Sequence, residues 1–155
     1  MRKIILTILT FCFTQHLYSQ GFINSNKLEA KKYLIQYIDK EKTKTSTTES
    51  DTSIEFLVRD TSVQNLDLIL QFDASGKCYK ELRTLSCDSC YEKILNNTLN
   101  EIYWGWIKID SKTYLSKFRK HLILNLQVDN SRSFEIRRID INRNEYKEKL
   151  EKKIS

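Results

Sequence analysis

Proline is missing from all 155 positions of the sequence. A chain without proline has no cis-prolyl turn, no polyproline ligand and no proline-stiffened linker. The sequence also lacks a G-x-S-x-G segment, which would present a serine nucleophile on a sharp turn. Its formal net charge of +6 is modest, and its basic stretches lack the aromatic interleaving of single-stranded nucleic-acid binding. These absences argue against a Ser-His-Asp hydrolase and against a nucleic-acid partner.

No hydrophobic run is long enough to span a membrane, and the clearest one stands near the start of the chain. It covers residues 4–13, about half of the ~20 residues that a membrane span needs. Arg2 and Lys3 precede this run, and the small residue Ser19 follows it. A positive start, an apolar centre and a small residue are typical of a secretory signal. We therefore predict that residues 1–20 are a signal peptide that is removed.

The chain that remains, residues 21–155, has the length of one domain and can bury about two-thirds of its unfolded surface. Loss of Arg2 and Lys3 lowers the formal net charge to +4, which is ordinary for solubility. Lysine far outnumbers arginine, which indicates an AT-rich, bacterial coding genome. We expect an exported protein in the periplasm, on the cell surface or outside the cell, with no transmembrane anchor after processing.

The first helix of this domain is predicted from residue 26 to about residue 42. Asn26 and Glu29 have the spacing of a capping box at its start. Its apolar face is expected to carry Leu28, Leu34, Ile35 and Ile38, and Ala30, Tyr33 and Tyr37 widen this face. Residues 42–53 contain mainly threonine and serine and no large apolar side chain, so we predict a flexible loop there.

A second helix is predicted from about residue 87 to residue 101, and a charged C-terminal helix over 144–155. Ser89 and Glu92 have the capping-box spacing in the second helix. Alternating apolar and polar residues predict strands at 54–59, 66–72, 78–85, 106–109, 121–128 and 133–141. The last strand changes parity after residue 136, which is typical of a β-bulge near Arg137 and Arg138.

The predicted order is therefore α-βββ-α-ββ(β)-α. Strands joined by short turns form antiparallel sheets, so the fold class is α+β, with the helices packed on one face of an antiparallel sheet. The order is similar to that of small exported α+β modules that bind peptides or partner proteins, a likeness of fold class alone.

Cys87 and Cys90 form a C-x-x-C pattern between a strand and a helix. A helix N-terminus lowers a thiol pKa, which activates redox pairs of this kind, but in an exported protein the two cysteines are expected to be oxidised. The cis-proline that packs against a thioredoxin-like site is absent. We predict a Cys87–Cys90 disulfide, and a thiol-redox role stays open as an alternative.

The third cysteine of the processed chain is Cys78, at the other end of a strand from Cys87. Nine residues of strand span roughly 30 Å, whereas a disulfide needs Cα atoms within about 7 Å. We therefore expect a buried free thiol at Cys78, while a Cys78–Cys90 bridge remains open. His121 and the three cysteines could together supply four zinc ligands. Cys87 and Cys90 have the spacing of a zinc-ligand pair, but Cys78 and His121 do not form a second such pair, so no metal site is predicted.

Aromatic and basic clusters supply the candidate binding residues. The aromatic cluster is Tyr103-Trp104-Gly105-Trp106, in which Trp104 and Trp106 either complete the core or form an exposed platform. The basic residues are Lys117, Arg119, Arg137 and Arg138, on strands predicted to be adjacent. The open sheet face beneath them would present positions such as Ile69, Gln71, Asn125 and Gln127. A protein, a peptide, an anionic glycan or a lipid headgroup are the partners that such a surface suits.

These observations favour a non-enzymatic binding module with no catalytic residues, no cofactor and no metal. Two alternatives stay open: an exported thiol-redox protein that uses Cys87 and Cys90, and a small hydrolase whose carboxylates are scattered in the sequence and meet in space.

Overall fold

A computed structural model of the protein describes residues 21–41, 44–59, 65–119, 121–127, 132–139 and 143–154. The predicted signal peptide, residues 1–20, lies outside this part of the chain. The helices are α1 (Lys27–Glu41), α2 (Asp88–Leu99) and α3 (Arg143–Ile154). The strands are β1 (Lys44–Glu49), β2 (Ser53–Arg59), β3 (Asn65–Phe72), β4 (Cys78–Leu85), β5 (Trp106–Lys108), β6 (Thr113–Ser116), β7 (Leu122–Leu126) and β8 (Ser133–Arg138).

All these strands join one antiparallel eight-stranded sheet with the order β1-β2-β3-β4-β8-β7-β6-β5. A helix followed by a four-stranded meander occurs twice, first as α1 with β1–β4 and then as α2 with β5–β8. The two meanders meet at the β4–β8 pair, so each meander begins at one edge of the sheet and ends at its centre. The predicted α+β class with an antiparallel sheet is confirmed.

The structure adds β1 and β6 to the predicted order. The prediction of a flexible loop over 42–53 was wrong for Lys44–Glu49, which pairs with β2 along its whole length. Its side chains are almost all exposed because β1 is an edge strand that buries little. Backbone pairing, and not apolar side chains, therefore holds this strand in the sheet.

The main core lies on the sheet face that α1 and α2 cover. Side chains on a strand alternate between faces, so β2 buries every second residue, Ile54, Phe56 and Val58. The residues predicted for this core that are buried are Leu34, Leu68, Leu70, Phe72, Ile94, Leu95 and Leu124. Leu126, also predicted, is part-buried against the same cluster.

Helix α1 buries only part of its predicted apolar face, and the side chains of Tyr37 and Ile38 lie outside the described residues. Ala30 and Leu34 are its buried residues among those whose side chains are described, whereas Leu28 and Ile35 are exposed. Residues four apart lie on one helix face, so the pair Ala30 and Leu34 defines the face that meets the sheet.

A second, smaller cluster lies on the opposite face of the sheet, beneath α3. Tyr146 and Leu115 are its buried residues, and Ile123, Ile139 and Leu150 pack against them. Ile123 stands between two core residues of β7, so its side chain points away from the main core. Helix α3 therefore covers the other face from α1 and α2, at the β6–β7 end, so the prediction that the helices pack on one face was wrong for α3.

This second cluster explains the change of parity near the end of β8. The pairing of β7 with β8 is continuous through Arg137 and Arg138, so the predicted bulge at these residues is absent. The register instead shifts between Gln71 and Phe72 in the β3–β4 pair. Ile139 keeps the regular alternation and packs in the second cluster.

The segment before α1 is built into the core. Phe22 and Ile23 are buried, and the Phe22 N–H donates a hydrogen bond of 3.0 Å to Glu81 Oε2. The Asn24 N–H donates to the Cys78 carbonyl at 2.8 Å. The core therefore begins with the first residues that follow the predicted signal peptide.

Candidate binding surface

The two tryptophans predicted as a platform pack on each other at the sheet edge. Trp104 is only 4% exposed, and its ring stacks on that of Trp106 with centroids 5.8 Å apart. A Cβ atom added at Gly21 would lie 2.4 Å from the Trp104 ring, so the backbone at Gly21 packs closely against this ring. Trp104 belongs to the core, and Trp106 is part-buried against it. The structure therefore places Trp104 where a partner cannot reach it.

The aromatic and aliphatic side chains that are exposed nearby are different ones. Ile102 is 84% exposed, Tyr103 is 54% exposed and Phe118 is 58% exposed. Lys117 and Arg119 flank Phe118 in the sequence and are exposed as well. We refer to these five residues as the tip.

Two chain segments meet to form the tip. The first is the turn after α2, in which the Trp104 N–H donates to the Glu101 carbonyl at 3.1 Å. The second follows β6, where the Lys117 N–H donates to the Gly105 carbonyl at 2.9 Å. Buried Ser116 joins them, since its hydroxyl donates to the Trp104 carbonyl and accepts a hydrogen bond from the Arg119 N–H at 2.8 Å. These hydrogen bonds therefore hold together the two backbone segments that carry the tip.

Gly105 is the residue that brings the two segments this close. Its φ is +54°, in the left-handed region that glycine adopts without strain. A Cβ atom at this position would lie 2.7 Å from two ring carbons of Phe118. Phe118 can therefore lie over the turn only because residue 105 has no side chain.

The cations of the tip are held against its aromatic rings. The Arg119 guanidinium carbon lies 3.8 Å from the centroid of the Tyr103 ring, and Lys117 Nζ lies 5.7 Å from that of Phe118. Both contacts are within the range of cation–π attraction. Within the described part of the chain, neither cation forms an ion pair with a carboxylate, so both charges remain available to an acidic partner.

Arg137 and Arg138 are placed differently. Neighbouring residues of a strand point to opposite faces, and each of these arginines has its own carboxylate partner. Arg137 Nε lies 3.0 Å from Glu135, and Arg138 binds Asp73. The structure therefore brings Lys117 and Arg119 together with exposed aromatics, but it commits Arg137 and Arg138 to ion pairs within the chain.

The carboxyl group that binds Arg138 is strongly acidic. The Ser75 hydroxyl donates to Asp73, as do the Lys77 N–H and Arg138, and together they hold the pKa of the Asp73 carboxyl well below its usual range. Arg138 is thus fixed beside a permanent negative charge at neutral pH.

The sheet face opposite the main core is the second candidate surface. Helix α3 covers part of this face, and outside that part Ile69, Gln71 and Asn125 are part-exposed and Gln127 is exposed. Glu135 also lies on this floor. Burial opposes its ionisation, but hydrogen bonds from Asn125 and Lys80 hold the pKa of the Glu135 carboxyl below its usual range. Lys80 and Arg137 on this floor both pair with Glu135, whereas Lys117 and Arg119 of the tip have no carboxylate partner among the described residues.

The predicted disulfide between Cys87 and Cys90 is confirmed, with Cα atoms 5.2 Å apart. Cys78 is buried and free, which excludes the Cys78–Cys90 alternative in this structure. Burial raises the pKa of the Cys78 thiol to about 12. Cys87, and not Ser89, caps α2, since its sulfur accepts a hydrogen bond from the Cys90 N–H.

Comparisons with protein-family models, with curated proteins and with solved structures find no significant match. The function must therefore be argued from the chain's own surface chemistry.

No group of three or more His, Cys, Asp or Glu among the described residues is placed to hold a metal ion. His121 is part-buried, with its ring 5.9 Å from that of Tyr146. Glu81 is a fully buried carboxylate, and Arg83 and the Phe22 N–H occupy its oxygens. Among the described helices, none combines the length and the apolarity that crossing a bilayer requires.

Sequence reasoning identified the cations of the tip but missed its aromatic residues, Tyr103 and Phe118. Tyr103 precedes Trp104 in the sequence, and Phe118 lies between Lys117 and Arg119. This adjacency to the predicted binding residues was the available signal.

Proposed function

We propose that this protein is a non-enzymatic binding module that docks an acidic peptide or protein segment at the tip. One observation carries the proposal: two exposed aromatic side chains, Tyr103 and Phe118, each lie against a cation that has no carboxylate partner among the described residues. Isolated exposed apolar residues are common, but a cluster of them flanked by such charges is typical of an interaction site. Tyrosine and arginine are also among the residues that contribute most to binding energy at protein interfaces.

The arrangement of the tip favours a peptide over a glycan. Sugar binding by stacking needs an open aromatic face, but Arg119 covers a face of Tyr103 and Lys117 lies over Phe118. Trp104, the large ring that would suit a sugar, is buried. A peptide with carboxylates near an apolar side chain would meet the cations and the exposed ring edges at the same time.

Export remains part of this proposal. The pattern of residues 1–20 supports a signal peptide, and the processed chain would then meet its partner in the periplasm, on the cell surface or outside the cell. The test of this part is the intact mass of protein from the native envelope fraction. Recovery there of the full 18.5 kDa chain would contradict processing.

The binding proposal is tested with a displayed peptide library in which every member has at least two acidic residues and one Phe, Leu or Trp. We expect selection of binders whose affinity falls at least about tenfold in the Lys117→Glu, Arg119→Glu double variant. The affinity should also fall with added salt, because the charges of the tip are solvent-exposed.

The matched control is the double variant Lys108→Glu, Lys112→Glu, which changes the net charge by the same amount. Lys108 and Lys112 are exposed at the turn between β5 and β6, at the opposite end of this hairpin from the tip, so their reversal changes net charge without touching the site. Equal loss of affinity in the control and the tip variant would show that only net charge matters. Binding to phosphatidylglycerol vesicles, with no peptide selected, would show that the partner is a lipid surface and that the peptide proposal is wrong.

A further inference from the structure

The Cys87–Cys90 disulfide has two unequal ends. Cys90 is 2% exposed and packs in the main core, whereas Cys87 is part-exposed at the start of α2. A reagent from solution can therefore approach the sulfur of Cys87 but not that of Cys90. We propose that this disulfide is a thiol–disulfide exchange site, at which an external thiolate attacks Cys87 and Cys90 is the leaving sulfur.

The local hydrogen bonds favour a thiolate at Cys87 once the disulfide has opened. The Cys90 N–H points at Cys87 Sγ from 3.1 Å, and the Ser89 hydroxyl lies 3.4 Å from the same sulfur. Free N–H groups at a helix N-terminus stabilise negative charge. The stabilised thiolate is the form that reacts, so the exposed sulfur is also the activated one.

Asp88 is next to Cys87 in the sequence, and its negative charge alone would destabilise a Cys87 thiolate. Arg132, however, forms an ion pair with Asp88. The guanidinium therefore offsets the carboxylate beside the site. Arg132 precedes β8, so the sheet itself brings this compensating charge to the start of α2.

A role in stabilising the fold explains this disulfide less well. The bridge closes a loop with only two residues between its cysteines, and the entropic stabilisation from a disulfide is smallest for the shortest loops. Helix α2 already packs Cys90, Ile94 and Leu95 in the core. The fold therefore gains little from the bridge.

The reductant in this exchange is an external dithiol. Its first thiolate forms a bond to Cys87 Sγ while the Cys87–Cys90 bond breaks, and Cys90 leaves as a thiolate that takes a proton. The second thiolate of the dithiol then attacks the dithiol's own bridged sulfur and releases the Cys87 thiolate. The external dithiol becomes a disulfide, and its two electrons reduce the cysteine pair.

Cys78 does not compete in this exchange. It is buried and its sulfur donates to the Lys80 carbonyl at 3.5 Å. A third cysteine that does not react keeps the exchange confined to one pair. It also serves as an internal control in every labelling experiment.

The test uses glutathione disulfide with two single variants. In Cys90→Ser we expect one glutathione per chain, bound to Cys87, and a rate at least about tenfold higher than in Cys87→Ser. The rate in Cys90→Ser should also have a pH midpoint below the ordinary cysteine pKa of about 8.5. Serine is a good helix cap, so Cys87→Ser retains the start of α2. Circular dichroism checks that both variants fold.

The wild-type protein provides a second measurement that needs no substitution. Brief treatment with reduced glutathione, acid quenching and peptide mapping should trap the mixed disulfide on Cys87 and leave Cys78 unmodified. Adducts on Cys90, equal rates in the two variants, or a Cys87 pH midpoint at or above about 8.5 would each overturn the proposal. These outcomes are independent of peptide binding at the tip.

Discussion

Glu81 and Arg83 form an ion pair inside the core, where their side chains are 0% and 5% exposed. They stand two residues apart on β4, so both point to the face that α1 and α2 cover. Glu81 also accepts the Phe22 N–H, and Arg83 lies 5.8 Å over the Phe134 ring. The pair therefore connects the first residues of the domain, β4 and β8.

Removal of the Glu81 charge should strongly destabilise the protein. Glu81→Gln removes the charge that Glu81 places beside the buried Arg83 guanidinium, and loss of one partner of a buried pair costs about 3–5 kcal/mol. Urea unfolding measures the change. Lys80→Met is the control, because the pair of Lys80 with Glu135 is part-exposed and its loss should cost less than about 1 kcal/mol. Equal costs in the two variants would contradict a structural role for the buried pair.

Truncation of Leu124 should destabilise the protein more than truncation of Leu82. Leu124 is fully buried, so Leu124→Ala should lower the free energy of unfolding by roughly 2–5 kcal/mol. Leu82 lies part-exposed on the opposite face of the sheet, and Leu82→Ala should cost clearly less. Chemical denaturation of both variants compares the two faces directly. A larger loss from Leu82→Ala would reverse our assignment of the core face.

Gly105→Ala should damage both stability and the tip. A side chain at φ +54° is strained by about 1–2 kcal/mol, and the added Cβ must also displace the Phe118 ring. Gly76→Ala is a matched control, since its φ is +71° but nothing lies within 4 Å of the added atom. We expect Gly105→Ala to cost more in thermal unfolding than Gly76→Ala, and to weaken binding of the selected peptide. If the two variants lose equal stability, the Gly105–Phe118 contact is unimportant.

Tyr146 should make stability depend on pH in the alkaline range. Its hydroxyl donates to the Ser116 carbonyl, and burial raises the pKa of the phenol to about 12. The unfolded chain ionises this tyrosine near pH 10, so the stability it contributes is complete below about pH 10 and is lost as pH rises toward about 12.

Tyr146→Phe should therefore cost about 1 kcal/mol at pH 7 through the lost hydrogen bond, and should flatten the decline in stability between about pH 10 and pH 12. Urea unfolding at a series of pH values follows both effects. Tyr103→Phe, which removes an exposed phenol, controls for the chemistry of the substitution. A decline as steep in Tyr146→Phe as in the wild type would contradict the burial of this group.

The alternation of apolar residues predicted β2, β3 and β4 because each buries one side against helices. It could not predict β1, whose sequence KTSTTE buries almost nothing and pairs through its backbone. It also misread Ile139, whose change of parity marks a second cluster beneath α3. A single sequence does not show which face of a sheet a later helix will cover.

The basic residues of the tip could be predicted from the sequence, but its aromatic residues could not. Charges such as Lys117 and Arg119 are expected at the surface, and they are found there. Whether an aromatic residue is exposed depends on its tertiary contacts. Here Trp104 is buried by its contacts with Gly21 and Trp106, whereas its neighbour Tyr103 is exposed, and the local sequence pattern does not show this difference.

The seam between β4 and β8 has a consequence for folding kinetics. Within each meander every strand pairs with its neighbour in sequence, but at the seam Thr84 pairs with Ser133, 49 residues away. The loop that must close is longest there, so seam formation should limit the folding rate. Substitutions along β4 and β8 should thus slow refolding, whereas those in the edge strands β1 and β5 should mainly accelerate unfolding.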